Sequence, residues 1–213
     1  MKQEYIYNLT LPELIIFSEK EGYTKGNALA LWKNLYRNKV ESWAECVNVN
    51  EKYLTAIKKQ YSLQLPQVKI KRIATDKTVK FLLELSDGNL IESVLMHNKY
   101  GMSLCITSQV GCNMGCSFCA SGLLGKKRDL MVGEFISQIM VANQYIKKNI
   151  ASAKVVTNVV IMGIGEPFDN YENFKKAVTI LKEENGLAIA SRKITVSTSG
   201  LSPQIINFAN DNI

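Results

Sequence analysis

The chain has 213 residues, 46% of them apolar and 21% charged, which suits a folded globular protein with one good core or a core plus a small appendage. Lysine and arginine number 26 against 19 acidic residues, a charge of +7 that fits a polyanionic partner such as nucleic acid as readily as plain solubility. Five cysteines, four of them bunched between positions 105 and 119, do not make a secreted disulfide framework. The start is no signal peptide, and no apolar run nears the roughly 20 residues that cross a bilayer, so a cytoplasmic protein with no membrane partner is expected.

Residues 1–62 read as helices. Leu11, Leu14, Ile15 and Ser18 recur at helical spacing, as do Ala28, Leu31, Trp32, Leu35 and Tyr36, and more weakly Leu54, Ile57 and Tyr61. The aromatic residues here are expected to be core. Pro66 marks a change of period. Val79, Phe81, Leu83 and Leu85 alternate with Lys80 and Glu84 as in a strand, Ser86-Asp87-Gly88-Asn89 is turn chemistry, and Leu90 to Met96 returns as the partner strand. Leu90, Glu92, Val94 and Met96 share one face of it, which puts the Glu92 carboxylate in apolar company or on an exposed face.

From residue 103 the pattern is strand then helix, repeated. Leu104–Val110 predicts an apolar strand, Gly133–Lys148 a helix, Val155–Met162 a strand buried on both sides, and Asn173–Glu184 a second helix. Ile194–Thr198 predicts a third strand, and Pro203–Ala209 the start of another helix. Such alternation means parallel strands with helical crossovers, an α/β class. Ligands of these sheets collect beyond the carboxyl ends of the strands. Three loops lie there: the cysteine loop after Val110, Gly163-Ile-Gly-Glu-Pro167, and Ser197-Thr-Ser-Gly200. Glu166 suits an ammonium group and Ser197 a carboxylate or hydroxyl. No dinucleotide fingerprint or Gly-Lys-Ser/Thr phosphate loop occurs.

The cysteine loop carries the strongest signal. Cys112, Cys116 and Cys119 stand with three and then two residues between them. A four-iron cluster wants four ligands, so three thiolates leave one iron open to a substrate. The alternative is a zinc-stabilised RNA-binding module without catalysis, with Cys105 or His97 as fourth donor. One asymmetric triplet with no second Cys-x-x-Cys pair favours the cluster and leaves zinc open.

Cys112-x-x-x-Cys116-x-Phe118-Cys119, followed by Gly-Glu after the next strand, resembles the radical S-adenosylmethionine superfamily. Leu104–Cys112, Met162–Phe168 and Ile194–Gly200 together are similar to its RNA adenine methyltransferase family, whose members methylate carbon 2 or carbon 8; Glu166-Pro167 resembles the carbon-2 branch. The resemblance implies a partial radical-SAM (β/α) barrel preceded by a small α+β N-terminal domain, divided as a helical RNA-binding accessory region (1–62), a β-hairpin linker (63–100) and the first half of the barrel (101–213). It implies a 4Fe-4S cluster on Cys112, Cys116 and Cys119, and S-adenosyl-L-methionine held by Phe118, Gly165, Glu166 and Ser197. Glu92 matches the family's proton acceptor. Cys105 matches its resolving thiol, which forms a disulfide with a methyl-carrying cysteine near the family's C-terminus.

That second cysteine has no counterpart before Ile213, so the chain is expected to be an N-terminal fragment that cannot complete methyl transfer. The implied partners are 23S rRNA and tRNA and an electron donor such as flavodoxin or ferredoxin, with the protein a monomer. Lys126-Lys127-Arg128, and Lys69, Lys71 and Arg72, are expected to meet RNA phosphates.

Overall fold

Two hydrophobic periods divide the fold of this protein, a computed structural model that describes residues 3–150 and 154–211. The period of 3.6 governs the N-terminal part. A short strand β1 (Glu4–Tyr5) and a 3-10 turn lead into α1 (Leu11–Lys20), α2 (Lys25–Lys33) and α3 (Glu51–Gln60), and β2 (Tyr61–Ser62) returns parallel to β1. Local chemistry sets the helix starts. Thr10 and Glu13 form a reciprocal capping box ahead of α1, and the Asn50 side chain accepts from the N–H groups of Lys52 and Tyr53 at the start of α3. The apolar stripes bury Leu14, Leu31, Trp32, Tyr36, Tyr53 and Ile57, so these aromatics are core, as expected. The buried Ser18 and Tyr53 hydroxyls satisfy one another at 2.7 Å.

The period of 2 takes over after Pro66. The chain runs through β3 (Gln67–Ile73), β4 (Val79–Glu84), β5 (Leu90–Asn98), β6 (Gly101–Cys105), β7 (Gln109–Val110) and β8 (Arg128–Asp129). It continues through α4 (Val132–Asn149), β9 (Val156–Ile161), α5 (Tyr171–Lys182), β10 (Ile194–Val196) and α6 (Ser202–Asn210). Six strands form one sheet in the order β10-β9-β6-β5-β4-β3, antiparallel from β3 to β6 and parallel from β6 to β10. The helix-covered face buries Phe81, Leu83, Ile91, Leu95, Leu104 and Val159 in the same core as Phe135, Ile136 and Ile139 of α4 and Phe174 of α5. The opposite, open face carries Leu82, Glu92, Val94, Cys105 and Val160, all only partly buried. Among the described residues no helix is long and apolar enough to cross a membrane.

Two expectations change and a third point is decided. First, the hairpin at 79–96 is no detached linker: β3 adds a third antiparallel strand, and β5 pairs directly with β6, so the sheet runs unbroken across residue 100. Second, Leu104–Val110 is not one strand. It leaves the sheet after Cys105 because the buried Gln138 side chain replaces the ladder at Thr107, accepting its N–H at 2.9 Å and donating to its carbonyl at 3.0 Å. Third, the two readings of Glu92 are decided: it lies on the open, half-buried face with Leu82, Val94 and Met96, while the core side chains Ile91 and Leu95 are on the other face. Glu92 instead pairs with Lys80 at 2.7 Å.

Candidate cofactor site

The cysteine loop leaves the sheet through a small clasp, in which Gln109 and Val110 of β7 pair with Asp129 and Arg128 of β8. The loop between the two strands must turn sharply at its root. Gly111 has φ +77°, and a Cβ there would lie 1.7 Å from the Gly125 carbonyl oxygen, so only glycine lets the loop close on itself. Asn113 tightens the closure by accepting the Lys126 N–H at 2.7 Å. Cys112 is buried, Cys116 half-buried and Cys119 exposed; all five cysteines are free thiols. Hydrogen bonds from Ser121, side chain first and backbone second, draw the Cys119 thiol below its ordinary pKa.

The second loop follows β9. Gly163 N–H donates to the Ile106 carbonyl, and the N–H groups of Ser108 and Gln109 both reach the Ile164 carbonyl, so this loop lies across the chain entering the cysteine loop. Gly165 has φ +102°, and a Cβ there would come within 2.5 Å of Gln109 Cβ. Glu166 is buried, and its two carboxylate oxygens accept from Phe168 N–H at 2.9 Å and Ser199 N–H at 2.6 Å. A carboxylate can accept about four hydrogen bonds, so two remain for a ligand cation. The third loop follows β10, where Ser197 N–H donates to the Ile161 carbonyl.

These loops enclose one cavity of about 260 Å³. Cys112, Cys116 and Cys119 line it together with Phe118, Gly165, Glu166 and Ser197, so seven of the expected site residues share one mouth. Phe118 stands almost fully exposed at its rim. A larger hollow of about 480 Å³, at Lys175, Glu183 and Asp211, gathers no thiol and no glycine loop. Glu92 and Cys105 are not in the mouth; they sit on the open sheet face. Thr107 Oγ1 donates to the Glu92 carbonyl at 2.6 Å, tying β5 to the chain just past Cys105. Burial pushes the Cys105 thiol above its ordinary pKa, against a smaller opposing hydrogen bond from the Met162 backbone.

The donor set fits an iron–sulfur cube better than zinc. Among the described residues no three His, Cys, Asp or Glu side chains gather around one point for a single ion. A cube does not ask for that, because each thiolate binds a different iron. Structural zinc needs four donors on one ion, and neither candidate for the fourth lines the mouth. His97 lines a separate hollow with Lys99 and Lys154.

Two site features were not foreseen. Gln109 is fully buried and joins Glu166 N–H, Asp129 and Asp169. The other is the fate of Lys126 and Arg128, expected on RNA phosphates. Lys126 Nζ lies 2.9 Å from Asp129 and 2.7 Å from Asp169. Arg128 forks onto Glu134 at 2.7 and 2.8 Å and reaches Asp87 at 2.7 Å. Both charges are neutralised within the fold.

Comparison with known proteins agrees with this geometry. Residues 106–210 match the model of the radical SAM superfamily. The chain is 49% identical over 205 residues to a probable dual-specificity RNA methyltransferase RlmN of Acholeplasma laidlawii, covering 96% of this chain and 59% of that protein. It is 47% identical over 210 residues to the protein of the same description from Shouchella clausii, covering 99% and 59%. The crystal structure of a radical SAM methyltransferase from Sphaerobacter thermophilus superposes with a TM-score of 0.90 at 34% identity, over 98% of this chain and 60% of that one. The chain thus spans about 59% of the length of these curated relatives.

Proposed function

We propose that this chain is an RlmN-type member of the radical SAM superfamily and that it carries the cofactor-binding part of an enzyme that methylates carbon 2 of adenine in 23S rRNA and tRNA. The observation that carries the reading is the single mouth shared by Cys112, Cys116, Cys119, Gly165, Glu166 and Ser197. In this reading the three thiolates hold a 4Fe-4S cluster. When bound there, the cluster supplies the electron that splits S-adenosyl-L-methionine into methionine and a carbon radical.

The chain's own residues bind and orient. Glu166 keeps two acceptor positions for the ammonium of the methionine part, Ser197 offers a hydroxyl to its polar end, and the backbone at Gly165 allows close approach. Phe118, at the rim, packs on the adenine. Lys80 orients Glu92 on the open sheet face as a proton acceptor, and Cys105 on the same face is the resolving thiol of a disulfide-forming step. The protein acts in the cytoplasm as a monomer, with electrons from flavodoxin or ferredoxin.

Anaerobic reconstitution of the intact protein with iron and sulfide tests this directly. About four irons per chain, lost when any one of the three cysteines becomes alanine, are expected, together with binding of S-adenosyl-L-methionine. One tightly held zinc would overturn the reading. Mass mapping of treated RNA should find the methyl group on adenine carbon 2; a methyl on carbon 8 would move the protein to the other branch of the family.

A further inference from the structure

Around the mouth the three loops are joined by a continuous set of polar contacts that no thiol enters. Gln109 stands at its centre. Its Oε1 accepts the Glu166 N–H at 2.8 Å, and its Nε2 donates to Asp129 Oδ1 and Asp169 Oδ2, both at 2.8 Å. The amide has one orientation here, because a backbone N–H needs the oxygen and two carboxylates need the nitrogen. Two carboxylates converging on one amide repel each other, and Lys126 Nζ, bonded to both, is the charge that holds them.

Lys126 itself belongs to the cysteine loop and closes it, its N–H donating to Asn113 near the loop's start. Glu166 in turn binds the third loop, through Ser199 N–H at 2.6 Å. The connection therefore runs from Asn113, beside Cys112, through Lys126, Asp169 and Gln109 to Glu166 and Ser199.

We propose that Gln109 and Lys126 are positioning residues that fix the Glu166 loop against the cysteine loop, so that the thiol wall and the carboxylate wall of the mouth are held at one separation and S-adenosyl-L-methionine affinity depends on this latch. The proposal rests on reading the mouth as the S-adenosyl-L-methionine site. Neither residue needs to touch the ligand. Gly165 packs on the Gln109 side chain with no room for a Cβ, so a shift of Gln109 moves the backbone that carries Glu166. Loss of Lys126 leaves Asp129 and Asp169 facing each other, and the cheapest relief is to move the turn after Glu166, which carries Asp169, away from the β7–β8 clasp, which carries Asp129.

The test uses the reconstituted intact protein and reads iron content, melting temperature and the Kd for S-adenosyl-L-methionine by equilibrium dialysis, without turnover. Lys126→Met should keep its iron, since no ligand is altered, and raise Kd about tenfold, or about 1.4 kcal/mol. Lys126→Arg should bring Kd back to within about threefold of wild type by restoring the charge. Adding Asp169→Asn to Lys126→Met should also recover affinity, because it removes the repulsion, an outcome that loss of a purely structural contact does not give. Gln109→Glu, which retains an acceptor for Glu166 N–H but sets a third carboxylate beside the other two, should weaken binding further.

Wild-type Kd in Lys126→Met, or iron lost in step with affinity and not rescued by Asp169→Asn, would overturn the latch. A wild-type protein that holds its iron yet binds no S-adenosyl-L-methionine would instead overturn the functional reading beneath it.

Discussion

Gly111 and Gly115 flank the first half of the cysteine loop, and both have positive φ, +77° and +65°. Their surroundings separate them. A Cβ on Gly115 meets nothing within 4 Å, whereas on Gly111 it would collide with the Gly125 backbone. Alanine at either position costs roughly 1–2 kcal/mol for the left-handed backbone. At Gly111 it also prevents the loop from closing. Gly111→Ala is therefore expected to take up less than about half the wild-type iron on reconstitution, and Gly115→Ala nearly all of it. Equal iron in the two variants would refute the closure argument. The same loop shows what one sequence reveals about a site. The cysteine triplet is a local pattern, fixed by spacing along a few residues, and it was legible. Gln109 was not, because its carboxylate partners lie 20 and 60 residues away and nothing near it in the chain signals the contact. Lys126 and Arg128 pair with acids both near in the chain, Asp129 and Glu134, and far from it, Asp169 and Asp87, and only the far pairs are invisible in one sequence.

At the scale of elements, Arg128 on β8 joins three parts of the fold. It forks onto Glu134 in the first turn of α4 and bonds Asp87 in the turn between β4 and β5. Glu134 is buried and also caps α4 by accepting the Met131 N–H at 2.9 Å. Removing one partner of a buried pair leaves the other charge uncompensated, so Arg128→Met should cost about 3 kcal/mol in urea unfolding, and Arg128→Met with Glu134→Gln should recover part of it. A single variant as stable as wild type would sink this. The pair has an acid signature too. The Arg128 hydrogen bond holds the Asp87 carboxyl far below the usual carboxylate range. A depressed folded pKa stabilises the fold above the unfolded value of about 3.9 and loses that contribution as pH falls through the folded value. Asp87→Asn should therefore flatten the stability loss below about pH 4. Elements with a strong period, such as α4 and β9, were legible to within a residue or two. β3 was not read as a strand, because it is exposed along its whole length and alternates no buried face. The break after Cys105 leaves no local signal either, since it depends on Gln138, 31 residues away from Thr107.

Over the whole molecule, the charge of +7 means something for an RNA partner only where it is not already spent inside the fold. Lys126 and Arg128 are paired with acids, and Lys69 lies 3.2 Å from Glu84. Lys71 and Arg72 stand on the exposed edge strand β3, where Lys71 rests 5.1 Å above the Tyr145 ring. Arg72 lies directly opposite Lys80, the partner of Glu92, so it shares the open sheet face with the proposed proton acceptor. A phosphate held there would bring an RNA strand along the face that carries Glu92 and Cys105. Each phosphate contact releases counterions, and its loss lowers the slope of log affinity against log salt by about one. Replacing Arg72 with glutamine should therefore weaken RNA binding by the intact protein and reduce that slope by about one, with little change in melting temperature, because nothing is buried on β3. Lys127→Gln, in the basic run beside the mouth, supplies the comparison, and its slope should change by less than about half a unit if the RNA follows the sheet face rather than the cysteine loop. An unchanged slope for the β3 variant would remove this strand from the interface.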